Sequence, residues 1–199
     1  MNKFLRSASF AVVAALSATA SYAAVLTSNI SVDNGFNAYI STSNLTAGTQ
    51  FSSGNNWDTT ITSTANLSAG TDYYLHVYGY DQGGVAGFLG SFSLTGTDFK
   101  FSNGLTSLNT NTQNWTGNAS GFSSPYGSLT AEGANGVGPW GVRPNISGSA
   151  QWIWVGDVNA NDNSYFTTKI SYVPEPATTA LLGLGLLGFA ASRRKAAKK

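Results

Sequence analysis

The sequence predicts an all-β fold, an antiparallel β-sandwich over residues 24–172, flanked by an N-terminal signal helix and a C-terminal hydrophobic helix. Three observations predict it. Short runs with alternating apolar residues recur through the middle of the chain, separated by clusters of Gly, Ser, Thr and Asn, as strands and turns are. No segment between the two ends carries a 3.6-residue apolar period. Charged residues make up 10% of the chain and glycines number 23, a composition that suits strands and polar turns better than helices.

The elements follow in order. Residues 1–23 begin with Lys3 and Arg6, continue as the apolar run from Phe10 to Leu16, and end in Ser21-Tyr22-Ala23. A cationic start, a short apolar centre and a small-residue site make a secretory signal peptide, with cleavage after Ala23. Strands are expected at "FNAYIST" (36–42), "WDTTITS" (57–63) and "TDYYLHVYGYD" (71–81). In the last of these, alternation puts Tyr73, Leu75 and Val77 on one face and Tyr74, His76, Tyr78 and Tyr80 on the other. "GFLGSFSL" (87–94) follows as another strand. Residues 99–141 show the least pattern and read as long loops with a few short strands. "AQWIWVG" (150–156) and "SYFTTKISY" (164–172) close the body, joined by a polar hairpin loop. The related segments "NLTAGT" (44–49) and "NLSAGT" (66–71) read as a recurring turn before a strand, because two copies are too few for a repeat architecture.

Charge is unevenly spread. Residues 24–172 hold Lys100, Arg143 and Lys169 against Asp33, Asp58, Asp72, Asp81, Asp98, Glu132, Asp157 and Asp162, so three cations face eight carboxylates and the net charge is −5. An acidic, lysine-poor body lacks the cationic footprint that nucleic acids require. It also argues against adhesion to anionic lipid headgroups. There is no cysteine, which removes disulfides and thiolate chemistry and leaves stability to packing.

The tail reads "VPEPATTALLGLGLLGFAASRRKAAKK". Its apolar run from Ala177 to Ala191 has 15 residues and as a helix would rise roughly 22 Å, short of the roughly 30 Å hydrocarbon core. Pro174 and Pro176 stop a helix from entering this run from the body. The cluster Arg193-Arg194-Lys195 would stay on the cytoplasmic side, leaving the body outside the inner membrane. The order Pro174-Glu175-Pro176, apolar run, Arg193-Arg194-Lys195 resembles the PEP-CTERM sorting signal of Gram-negative bacteria. That resemblance implies recognition by an exosortase, a membrane protease-transpeptidase, and a transient C-terminal membrane anchor. The tail is then removed and the body delivered to the cell-envelope surface or extracellular matrix. A retained anchor is the alternative.

The body has a second resemblance. "ISVDNGFNAYIS", "NLSAGTDYYLHVYGYDQGGVAGFLGSF", "AQWIW" and the later "YF" are similar to galactose-binding-like jelly-roll modules of bacterial surface proteins. It implies a jelly-roll-like sandwich with the Trp-Ile-Trp strand paired to the Tyr-Phe strand, and glycan or exopolysaccharide as the ligand class.

Candidate binding residues come from the same alternation. Tyr74, His76, Tyr78 and Tyr80, with Asp81 of the adjoining "DQGG" loop on the rim, offer rings that stack on sugars and groups that hydrogen-bond to their hydroxyls. The other reading of this stripe is a face covered by a second sheet. In "DVNANDNSYFTT", Asp157, Asn159 and Asn161 fall at positions 1, 3 and 5 of a calcium loop, but position 6 is Asp162 where glycine is needed and position 12 is Thr168 where a glutamate is needed. Calcium is therefore a weak expectation, and no other cofactor is implied. His76 is the sole histidine and there is no Gly-x-Ser-x-Gly elbow, so the chain is expected to be non-enzymatic. A glycosidase needs only two carboxylates, and Asp81 with Glu132 or Asp157 could be proposed for that role.

Overall fold

The computed structural model describes residues 24–173 and the single position Gly185. The expected signal helix with Ala23, and, Gly185 apart, the expected C-terminal helix with Pro174, Glu175, Pro176, Arg193, Arg194 and Lys195, lie outside the described residues. Among the described residues no helix is long and apolar enough to cross a membrane.

Twelve strands make up the body: β1 (Ala24–Asp33), β2 (Gly35–Ser41), β3 (Thr49–Gly54), β4 (Ile61–Leu67), β5 (Tyr73–Tyr80) and β6 (Gly87–Leu94). The second half holds β7 (Phe99–Phe101), β8 (Ser107–Asn109), β9 (Thr116–Asn118), β10 (Thr130–Ala134), β11 (Gln151–Trp154) and β12 (Asn163–Tyr172). They form two antiparallel sheets. The first runs β10-β11-β6-β1-β4 with β8 added against β6, and the second runs β3-β2-β5-β12-β7 with β9 added against β12.

The two sheets enclose one core because each inner strand alternates. β1 turns Leu26, Ile30 and Val32 inward, and β6 adds Phe88 and Phe92; the facing sheet contributes Phe36, Ala38, Leu75, Val77, Phe166 and Ile170. Trp115 and Trp154 fill the remaining volume, with Trp115 edge-on to Phe88 at 5.2 Å and Trp154 tilted against Phe166 at 5.5 Å. Gly79 is required by this packing, since a Cβ there would lie 3.0 Å from the Trp154 ring and 3.1 Å from Val32. At one open edge the sheets meet through hydroxyls, Ser52 of β3 and Ser63 of β4 at 2.8 Å.

A second apolar cluster sits on the outer face of the first sheet. Leu89 and Trp152 project there and are roofed by the 135–150 loop through Trp140, Ile146 and Ala150. Trp140 stacks on Trp152 at 4.5 Å and donates its Nε1–H to Asp33 Oδ2 at 2.8 Å. Burial holds the Asp33 carboxyl above its ordinary value; the Trp140 bond opposes this and the charge of Asp81 adds to it. Arg143 pins the loop from below. Its guanidinium donates to the Trp140 carbonyl at 2.6 Å, pairs with Asp58, and lies over the Trp57 ring at 5.2 Å.

Several strand expectations hold and others are corrected. The stretches at 36–42, 71–81, 87–94, 150–156 and 164–172 coincide with β2, β5, β6, β11 and β12, β2 and β12 starting one residue earlier, and residues 99–141 carry only strands of three to five residues. "WDTTITS" is strand only from Ile61, because Asn56 caps a turn over its first residues by accepting the Asp58 N–H at 3.0 Å. The 155–162 connection is not a hairpin. β11 and β12 belong to different sheets, so this segment arches across the sandwich, and the Trp-Ile-Trp strand does not pair with the Tyr-Phe strand. β3 was not expected, since "TQFSSG" has no apolar alternation.

The pairing registers fix a polarity. Ala24 pairs with Leu67 and Tyr172 with Phe99, so the body is entered and left at the same end. Both "NL-AGT" turns lie there too, with Gly48 at φ 83° and Gly70 at φ 80°, conformations that favour glycine. The opposite end carries the corner Asp33-Asn34-Gly35, the 81–86 loop and the 155–162 arch. There the Asn34 N–H donates to Tyr80 O at 2.7 Å and the Asp81 N–H to Asp162 O at 2.9 Å.

Candidate functional site

The outer face of the second sheet is built by β5 and its two neighbours. Direct partners share a face, so Tyr74, His76, Tyr78 and Tyr80 of β5 stand beside Asn37 and Tyr39 of β2 and beside Asn163, Tyr165, Thr167 and Lys169 of β12. Leu75 and Val77 point the other way, into the core. The alternation read from the sequence therefore sorts the β5 side chains as expected. Among the described residues no second sheet covers the tyrosine side.

Something else covers half of it. The 119–127 segment folds back over the lower part of the face, setting Phe122 against His76 at 4.7 Å and against Tyr39 at 5.8 Å. Tyr126 stacks parallel to His76 at 6.5 Å and donates its hydroxyl to the carbonyls of Asn44 and Phe122, each at 3.2 Å. His76 is fully buried as a result, with Nε2 bonded to the Ser43 carbonyl at 3.1 Å. Burial lowers the imidazole pKa below its ordinary value, with backbone bonds to Ser43 and Phe166 opposing, while burial pushes the Tyr126 phenol up to about 12. His76 thus supports the covering loop and does not present itself to solvent.

The upper half is open. Tyr78, Tyr80 and Tyr165 form a half-buried patch in which Tyr78 stacks on Tyr165 at 4.8 Å and leans on Tyr80 at 5.8 Å; the Phe122 ring borders it, edge-on to Tyr165 at 5.1 Å and to Tyr39 at 5.8 Å. The Tyr78 hydroxyl donates to Asn163 Oδ1 at 2.7 Å, whereas those of Tyr39, Tyr80 and Tyr165 bond to no other described residue. Burial raises the phenol pKa of Tyr39 and Tyr78, with the neighbouring tyrosines adding to the effect, so both stay neutral and can donate and accept. A shallow depression of about 330 Å³ continues the patch, lined by Phe36, Asn37, Ser53, Gly54, Asn55 and Tyr80. Gly35 permits it, because a Cβ there would run into the Tyr80 ring. The surface offers aromatic faces ringed by amides and hydroxyls without a charged group among them.

The remaining expected residues lie apart from this patch. Asp81 is buried in the loop beyond Tyr80, with Oδ2 accepting the Gly83 N–H at 3.1 Å. Asp157, Asn159 and Asn161 bond to one another and to the backbone of their own arch: Asp157 Oδ1 accepts the Asn159 N–H at 2.9 Å and Asn161 Nδ2 donates to Val155 O at 2.7 Å, while Asp162 is exposed and its carbonyl accepts the Asp81 N–H at 2.9 Å. Among the described residues no group of three or more metal-ligating side chains converges. Sequence reasoning missed Tyr39, Tyr165, Phe122 and Tyr126. Alternation within "FNAYIST" and "SYFTTKISY" could place Tyr39 and Tyr165 on a face, but only the register decides which strand lies next to which.

The described body is thus a two-sheet antiparallel β protein with an uncharged aromatic patch on one outer face. At its end the chain carries the PEP-CTERM protein-sorting motif, matched over residues 173–195. The match spans Pro174-Glu175-Pro176 and Arg193-Arg194-Lys195 and indicates an exosortase-sorted protein with an envelope or extracellular destination. No curated protein matches the chain, and no solved structure does.

Proposed function

We propose that the exported body is a non-enzymatic surface or matrix protein that binds neutral glycan or exopolysaccharide on the open half of the outer tyrosine face. The observation that carries this is the patch of Tyr78, Tyr80 and Tyr165, bordered by Tyr39, in which the hydroxyls of Tyr39, Tyr80 and Tyr165 have no partner among the described residues, edged by Asn37 and Ser53. Sugar rings stack on such faces and their hydroxyls pair with amides and phenols. The net charge of −5 over residues 24–172 favours a neutral polymer over a polyanion. The tail acts as a transient anchor in the inner membrane until the exosortase removes it.

Pull-down of the exported protein on neutral polysaccharides tests the reading. Tyr78→Ala should lose most of the bound fraction, while Thr64→Ala on the opposite sheet should not. Equal retention by both would sink the glycan assignment and favour a purely structural coat role, which the shallowness of the depression beside Tyr80 supports. Mass spectrometry of surface material should find a C-terminus near Pro174, and an intact Lys199 would contradict removal of the tail.

A further inference from the structure

The folded body ends where the sorting motif begins. β12 finishes at Tyr172, whose N–H is held by Asp72 Oδ1 at 2.9 Å, and the Val173 N–H donates to Asp98 O at 2.7 Å. The motif starts at residue 173 and its apolar run at Ala177. Only residues 173–176 join strand to run, and four extended residues reach about 14 Å at most. The headgroup region on one side of a bilayer is itself roughly 5–8 Å deep.

We propose that, while the tail is intact, the end of the sandwich bearing Ala24 and Val173 lies against the lipid headgroup layer, with the strands standing away from the membrane. This rests on the reading of the tail as membrane-inserted before its removal. The charge distribution agrees with it. At this end Asp72 and Asp98 are matched by Lys100 and Lys169, with Lys169 paired to Asp72 at 2.6 Å. Among the described residues the far end holds Asp33, Asp58, Asp81, Asp157 and Asp162 against Arg143 alone. Anionic headgroups therefore repel the far end and leave the near end unopposed, so the acidity of the whole body does not bar contact, contrary to what composition alone suggests. Leu45, 56% exposed in the 42–48 loop, and Val173, 44% exposed, add apolar contact at the near end. A ten-residue strand such as β1 places the far end about 30 Å away, in solvent. The tyrosine face then stands upright and stays accessible before the tail is removed.

The absence of cysteine makes the test direct. Single substitutions Ser68→Cys and Thr97→Cys mark the near end, and Gln82→Cys and Asn159→Cys the far end; all four positions are exposed. The chain with its tail intact is labelled with a fluorophore and reconstituted in phosphatidylethanolamine–phosphatidylglycerol vesicles containing a headgroup spin label. Quenching at Ser68→Cys and Thr97→Cys should exceed that at the far pair severalfold, and a long Gly/Ser insert between Val173 and Pro174 should abolish the difference. Co-flotation with vesicles is scored separately. A chain that does not float overturns the membrane-inserted reading of the tail and the proposal with it. A chain that floats yet is quenched equally at all four positions overturns the proposal alone, as does a bias that the insert leaves unchanged.

Discussion

Arg143 carries the order of the longest irregular segment, and replacing it with alanine tests how. Its side chain is 9% exposed, whereas that of its ion-pair partner Asp58 is 69% exposed. The pair is therefore largely solvated at the carboxylate and is worth at most about 1 kcal/mol. The buried bond from the guanidinium to the Trp140 carbonyl, at 2.6 Å, is charge-assisted and worth about 1.5–3 kcal/mol, and the stack on Trp57 adds about 0.5–1 kcal/mol. Arg143→Ala should thus cost about 2–5 kcal/mol in urea unfolding, and Asp58→Asn about 1 kcal/mol or less. Both should shift the midpoint without changing the slope if the loop stays folded. Equal losses in the two variants would refute the reasoning, because the ion pair and not the carbonyl anchor would then hold the loop.

Three further outcomes follow from buried groups. The His76 pKa is lowered in the folded protein, so its contribution is complete above the ordinary histidine value near 6.5 and is lost as pH falls below it; the urea midpoint should drop as pH falls through about 6.5, and His76→Gln should flatten that part of the profile. The Tyr126 phenol is pushed up to about 12, so its contribution is present below the ordinary value near 10 and is lost as pH rises from there; ultraviolet titration of Tyr126→Phe should lack one high-pH tyrosine, and an unchanged count would contradict the assignment. Gly79→Ala should destabilise by about 1–3 kcal/mol through overpacking against Trp154 and Val32, readable as a lowered melting temperature.

The strand content was legible because period-2 alternation is local. β2, β5, β6, β11 and β12 each announce their inward residues, and the sorting of Leu75 and Val77 from Tyr74, Tyr78 and Tyr80 needed nothing beyond that. β3 was not legible, since its place depends on pairing with β2 and not on its own apolar content. The joining of β11 to β12 was misread for a related reason: a polar connection of this length suits a hairpin and an inter-sheet arch alike, and only the core position of each strand separates them. For His76, alternation gave the face but could not give the burial, because Phe122 and Tyr126 arrive from more than 40 residues away in the chain.

By itself the sequence determined the all-β class, the side of β5 that carries the tyrosines, the acidic balance of the body and the sorting motif at 173–195. These depend on residues adjacent in the chain or on simple sums over it. The tertiary structure decided which tyrosines gather into an open patch, that His76 is sealed beneath a loop, and that acidity is gathered at the end remote from Ala24 and Val173. Each of these requires strand order and register, which are set by how two sheets bury their apolar faces against each other.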